Sequence, residues 1–210
     1  MDPTVPEAAG EVPDSAGGDV RFRTPRAFRP DRRVERTRQR LLDAFRDLVL
    51  DGGYDRVTVL DVIERAGVGR STFYEHFENK DDLLALSLRH PFAGIASAVG
   101  DDDPGERLTF TLDHMWQQQR LAQTILESTG RGVMSRVLAA LVEERFVADR
   151  RAERGAPLLP PHVIAACVAE AQMGLIDAWF AGRTDASSHA LANALRASSR
   201  AVAAALFRDR

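Results

Sequence analysis

The sequence predicts an all-α fold: a three-helix head built around a helix-turn-helix, followed by a helical body, nine helices in all. Apolar residues recur at three- and four-residue spacing along most of the chain, and no run alternates with the period of two that a half-buried strand needs. The recurrence is broken at Gly52-Gly53, Gly67, Asp101-Pro104, Gly130-Gly132, Gly155-Pro161 and Gly182-Ser187, where glycine and proline punctuate helices. Between Thr58 and Leu84 the chain reads TVLDVIERAGVGRSTFYEHFENKDDLL, which spells short helices meeting at tight turns.

The first residues, 1–29, hold Pro3, Pro6, Pro13 and Pro25 with scattered glycines and acids and no helical periodicity, so they are expected to be disordered in the free protein. The first helix, about Asp31 to Asp51, places Leu41, Leu42, Phe45, Leu48 and Val49 at core spacing and stops at Gly52-Gly53. It is expected to brace the pair of helices that follows.

Thr58 and Asp61 stand at the spacing at which a hydroxyl and a carboxylate satisfy the orphan amides of a helix start. Val59, Val62, Ile63 and Ala66 then share one stripe, and Gly67 ends the helix because glycine takes the left-handed conformation that a helix end commonly needs. After Gly69, a modest N-cap, comes a short helix from Arg70 to about His76. Phe73 and Phe77, four apart, anchor it inward and leave Arg70, Ser71, Thr72, Tyr74 and His76 outward. Asn79 caps the next helix with Asp82 at the capping-box offset, and Leu83, Leu84, Leu86 and Leu88 make it strongly apolar.

In a helix-turn-helix the second helix enters the major groove with its N-terminal side chains against base edges. Arg70, Ser71 and Thr72 occupy those positions; Tyr74 and His76, further along, suit phosphates, which fix register without carrying sequence information. Lys80 is the only lysine in the chain, and a cation at a helix N-terminus opposes the macrodipole unless an anion is near. A DNA phosphate would be that anion. Thr58, Arg70, Ser71, Thr72, Tyr74, His76 and Lys80 are therefore the candidate DNA-binding residues.

The arrangement resembles the DNA-binding head of the TetR/AcrR family of bacterial transcriptional regulators. The resemblance runs from about Arg36 to Leu84, through TRQRLLDAFRDLVLDGGYDRVTV, DVIERAGVGRSTFYEHF and NKDDLL, and the STFYEHF form looks closest to regulators of dihydroxyacetone kinase operons. Ile63 and Gly69 depart from the pattern, where many members carry alanine and serine or threonine respectively. The resemblance implies dimerisation through the last two helices and release of DNA when a small molecule binds.

The net charge of −3, from 28 basic and 31 acidic residues, does not itself advertise nucleic-acid binding. The distribution does: Arg21, Arg23, Arg26, Arg29, Arg32, Arg33, Arg36, Arg38 and Arg40 are opposed only by Asp31 and Glu35, so an arm ahead of the motif could track phosphates. No secretion signal and no stretch long enough to cross a membrane is read, which points to a cytoplasmic protein. Cys167, the sole cysteine, has no partner for an intrachain disulfide.

The body is expected as helices from Asn79 to Val99, with a kink or break at Pro91, then Gly105 to Ser128, Arg131 to Glu153, Pro161 to Ala181 and Ser188 to Phe207. Domain limits follow as 1–29 for the extension, 30–78 for the DNA-binding domain and 79–210 for ligand binding and dimerisation. Cys167, Ala171, Gly174 and Ala178 on one helix, and Leu191, Leu195, Val202 and Leu206 on the last, form faces suited to a second copy of the chain. Gly174 in mid-helix costs about 1 kcal/mol against alanine, which suggests close backbone packing there.

Polar groups mixed into an apolar stripe suit a cavity that orients a small molecule. Thr111, Met115, Trp116, Gln118 and Gln119, with Phe92, Met134, Gln172 and Met173, are the candidate effector-binding residues. Catalysis is not expected. His114 with Asp113, His162 with Glu170, and Asp177 are the acid-base candidates of the body, and none sits in a nucleophile, phosphate-loop or metal-ligand pattern. No cofactor or metal is implied. The reading is a dimeric regulator, a repressor released from a palindromic double-stranded operator by a small effector; the alternative is a protein of the same fold that works mainly through protein partners.

Overall fold

The computed structural model describes residues 32–100, 105–148 and 156–207. The N-terminal extension with Arg21, Arg23, Arg26 and Arg29 of the arginine arm, the Asp101-Pro104 break and the expected helix end at Glu153 lie outside the described residues, whereas Arg32, Arg33, Arg36, Arg38 and Arg40 of the arm belong to the first helix.

Among the described residues there are nine α-helices. The head contains α1 (Arg32–Gly52), a 3-10 turn (Tyr54–Arg56), α2 (Val59–Ala66) and α3 (Arg70–Tyr74). The body contains α4 (Lys80–Ala96), α5 (Glu106–Gln117), α6 (Gln119–Leu126), α7 (Gly130–Ala148), α8 (Pro161–Phe180) and α9 (Ser188–Ala205). The amphipathic stripe of α1 buries Leu41, Ala44, Phe45 and Val49, and α1 packs on α2, α4 and α6. In the body, α7 lies against both α4 and α8, and α8 lies against both α7 and α9.

Three expectations for the body change. Pro91 does not break its helix: α4 runs unbroken from Lys80 to Ala96, because Leu88 on one side of the proline and Phe92 and Ile95 on the other are all buried and hold both halves in the core. The single helix expected from Gly105 to Ser128 is two, divided at Gln118 with φ −106 and ψ 22. The division has a packing reason, since α5 answers to α4 and α9 while α6 answers to α1, α7 and α8. Third, α8 is long and apolar enough, by length and composition, to cross a membrane, contrary to the expectation that no stretch is. Half of that stretch is buried inside the protein, as in the core helix of a globular domain.

The last two helices also turn differently from the expected dimer faces. Leu191 and Leu195 are 3% and 0% exposed, and Val202 and Leu206 pack against the core, so the leucine stripe of α9 is spent inside the protomer. It faces α5 and α8, and the outer side of α9 is left with Ala190, Ala194, Ala197 and Ala201. On α8, Cys167 and Gly174 are exposed and Ala171 and Ala178 half-buried, opposite the buried Ile164, Val168 and Trp179. The close packing expected at Gly174 is absent within the protomer, for a Cβ built there meets nothing within 4 Å.

At the far end of the body, Trp116 lies 4.6 Å from Trp179 between ring centroids and stacks at 6.0 Å on Phe180. Gln123 of α6 donates to the Phe180 carbonyl at 2.6 Å, fastening the α5–α6 corner to the end of α8.

Candidate nucleic-acid interface

The turn between α2 and α3 is fixed by its own backbone. Gly67 sits at φ 60 and ψ 43, its N–H donates to Glu64 O at 3.1 Å, and Val68 N–H reaches back to Ile63 O at 3.2 Å. These are the paired bonds of a Schellman closure, which uses up carbonyls that a helix end otherwise leaves unpaired. Two further carbonyls of the corner are met from α1: the Arg40 guanidinium donates to Ala66 O at 2.5 Å and to Gly67 O at 3.1 Å. Arg40 thus buttresses the corner from which the short helix starts, a role with no local signal in the sequence because its partners lie 26 and 27 residues away.

The start of α2 is closed by a reciprocal box: Thr58 Oγ1 accepts from Asp61 N–H at 3.2 Å, and the Asp61 carboxylate accepts from Thr58 N–H at 2.9 Å and from its hydroxyl at 2.7 Å. The hydrogen bond from the Thr58 hydroxyl is the largest cause holding the Asp61 carboxyl below its ordinary value. Asn79 and Asp82 form the matching box on α4. Both boxes agree with the sequence expectation.

The short helix ends at Tyr74, two residues earlier than expected, and the chain turns through Glu75 and His76. Phe73 is fully buried and Phe77 nearly so, their rings 5.8 Å apart, and they set the rotation of α3. Arg70, Ser71 and Tyr74 are left exposed, with Thr72 and His76 half-buried. The Arg70 guanidinium lies 5.8 Å from the Tyr74 ring centroid, within cation–π range, so the residue best suited to a base edge is held over an aromatic face. The His76 ring meets Phe77 edge-on at 6.3 Å.

Lys80 has partners inside the protein. Its ammonium donates to Tyr54 O at 2.8 Å and Asp55 O at 3.3 Å, and lies 4.5 Å from the Tyr54 ring centroid. The carbonyl end of the 3-10 turn and the aromatic face therefore supply the negative potential that the sequence reading assigned to a phosphate. Thr58 is similarly occupied by its cap.

Residues 41–86 match the family model described as bacterial regulatory proteins, tetR family. That stretch, from the middle of α1 through α3 into the start of α4, is similar to the DNA-binding head of that family. A TetR transcriptional regulator from Streptococcus agalactiae 2603V superposes with a TM-score of 0.52 and 25% identity, covering 80% of this chain and 96% of its own. The transcriptional repressor KstR of Mycobacterium tuberculosis is 27% identical over 164 residues, 71% of this chain and 74% of KstR. The dhaKLM operon transcriptional activator DhaS of Lactococcus lactis is 31% identical over 65 residues, 31% of this chain and 35% of DhaS, so the match spans about a third of that relative's length. The similarity to DhaS agrees with the subgroup that STFYEHF suggested. These relatives and this fold are those of TetR transcriptional regulators and not of enzymes.

The residues singled out for an effector are divided by the packing of the body. Phe92, Met115, Met134, Gln172 and Met173 are buried, Thr111 and Gln119 half-buried, and Trp116 and Gln118 exposed. Gln118 stands at the division between α5 and α6, outside the buried set, and Thr111 Oγ1 is engaged with Arg107 O at 2.9 Å on its own helix. Gln172 is the distinctive member. Its amide N–H donates to Ser199 Oγ at 2.9 Å and Ile95 O at 3.3 Å, while its fully buried Oε1 has no partner among the described residues.

Proposed function

We propose that the chain is a cytoplasmic homodimeric repressor that binds an inverted-repeat operator through α3 and leaves it when a small molecule occupies the body. The carrying observation is the Schellman corner at Gly67 followed by a short helix whose Phe73 is buried, with Phe77 buried just beyond its end, and whose Arg70, Ser71 and Tyr74 are exposed. In this reading Arg70, Ser71 and Thr72 meet base edges, and Tyr74 and His76 meet phosphates. Thr58 and Lys80, engaged internally, hold the helix ends in register, and Lys80 keeps one of its three N–H donors for a phosphate. Residues 30–78 act as the reading head and 79–210 as the body.

The sign of control follows the longer of the two curated matches, which is to a protein named as a repressor. The outward small-residue face of α8, with the alanine side of α9, takes the second protomer. That pairing sets two copies of α3 roughly 34 Å apart, the spacing of half-sites on one face of the duplex. The effector reading is favoured by Gln172: a buried carbonyl without a partner is costly, and a donor group carried in by a ligand removes that cost. An effector shifts DNA binding only so far as it binds the two conformations unequally.

Selection of fragments from genomic DNA by the purified protein tests the reading. The expected result is enrichment of an inverted repeat; recovery of no duplex at low salt would refute it.

A further inference from the structure

The 3-10 turn between α1 and α2 is gripped by the body from two helices. From α4, Lys80 donates to its carbonyls, and Asp81 Oδ1 accepts the Tyr54 hydroxyl at 2.5 Å. From the α6–α7 corner, Thr129 presents both its N–H, at 3.2 Å, and its hydroxyl, at 2.5 Å, to Asp55 Oδ1. Arg136 of α7 closes the set with a 3.6 Å ion pair to Asp81. Gly130, the first residue of α7, admits this approach, because a Cβ there would stand 3.1 Å from the Tyr54 ring.

Helix α7 has no acidic residue in its first turn, although the positive end of the macrodipole favours one. The carboxylate at that end comes instead from Asp55, 74 residues earlier in the chain and in the head. We propose that Asp55 and Thr129 are positioning residues for DNA binding: the head's carboxylate caps the body's helix α7, so that a displacement of the α6–α7 corner is passed through the 3-10 turn to α2 and α3. The proposal rests on the DNA-binding reading above and adds the route by which the body regulates it. Both partners are solvent-exposed, so their hydrogen bonds add little to stability. Their effect lies in orientation. Thr129's hydroxyl is also the largest cause holding the Asp55 carboxyl below its ordinary value.

The test uses the full chain and a labelled duplex carrying the inverted repeat that it selects. Thr129→Val is expected to weaken binding by about two- to thirtyfold, the range of typical coupling energies, with a melting temperature within about 4 °C of wild type. Thr129→Ser, which restores the hydroxyl, is expected to bind as wild type, and Asp55→Ala combined with Thr129→Val to bind no more weakly than the weaker single variant. Wild-type binding by Thr129→Val, or effects that multiply in the double variant, would overturn the joint. If the wild-type protein binds no duplex, the DNA reading falls and amide exchange decides the joint separately. The Thr129 amide should exchange at least tenfold faster in Asp55→Ala than in wild type, and equal rates would overturn it.

Discussion

At the scale of single residues, Arg70 and Lys80 make opposite predictions from similar charges. Arg70 is exposed at the start of α3 and bonded to no protein carbonyl in its described contacts, whereas Lys80 is bound to two. Arg70→Ala is expected to leave the melting temperature unchanged and to relax preference at one base position by about 1–3 kcal/mol, read from binding to a series of singly substituted operators. Lys80→Met keeps the aliphatic stem and removes the donors. It is expected to destabilise the fold by about 1–3 kcal/mol in urea titration, since hydrogen bonds from a charged group are lost together with the contact over Tyr54. A Lys80→Met variant as stable as wild type would show that the phosphate, not the turn, is this residue's main partner. The sequence disclosed the caps at Thr58 and Asn79 because their partners lie three residues on. It concealed Arg40 on Ala66 and Tyr54 on Asp81, since nothing local marks residues that meet only after the chain has folded.

The helices add a dependence on pH. Asp61 and Asp55 both titrate below their ordinary value of 3.8, chiefly because the hydroxyls of Thr58 and Thr129 donate to their ionised forms. A folded-state pKa below the unfolded one means that the stabilising contribution is complete above the unfolded value and is lost as pH falls through the folded one. Urea midpoints measured from about pH 5 to about pH 2 should therefore fall, and fall less steeply in Asp61→Asn, whose side chain does not ionise. Parallel curves for the two proteins would deny the cap this part. Helix ends marked by glycine, proline or a capping residue were legible in the sequence to within a residue or two. The α5–α6 division was not, because Gln117, Gln118 and Gln119 carry no such mark and the break is imposed by the different neighbours of the two halves.

For the whole molecule, the sequence distinguished apolar from polar faces but not which apolar face meets the protomer's own core. The leucines of α9 and the small residues of α8 both qualify by spacing, and only the packing of α5, α8 and α9 separates them. Gly174 gives a direct test of the association. Its surroundings are open within 4 Å, so Gly174→Arg fits the protomer and replaces a poor helix former. Sedimentation at micromolar concentration should give a dimer for the wild type and a monomer for this variant, with helical content retained. A Gly174→Arg protein that stays dimeric would move the interface elsewhere.

The aromatic cluster at the α5–α8 end has an optical consequence. The chain has two tryptophans and two tyrosines; the indoles of Trp116 and Trp179 are neighbours in the body, while the phenols of Tyr54 and Tyr74 belong to the head. Emission excited at the long-wavelength edge of the absorption band thus arises from one corner of the body, and the difference signal from phenol absorbance arises from the head. The protein carries a separate intrinsic reporter for each of its parts, and a melt followed in both channels reads their cooperativity without any attached dye.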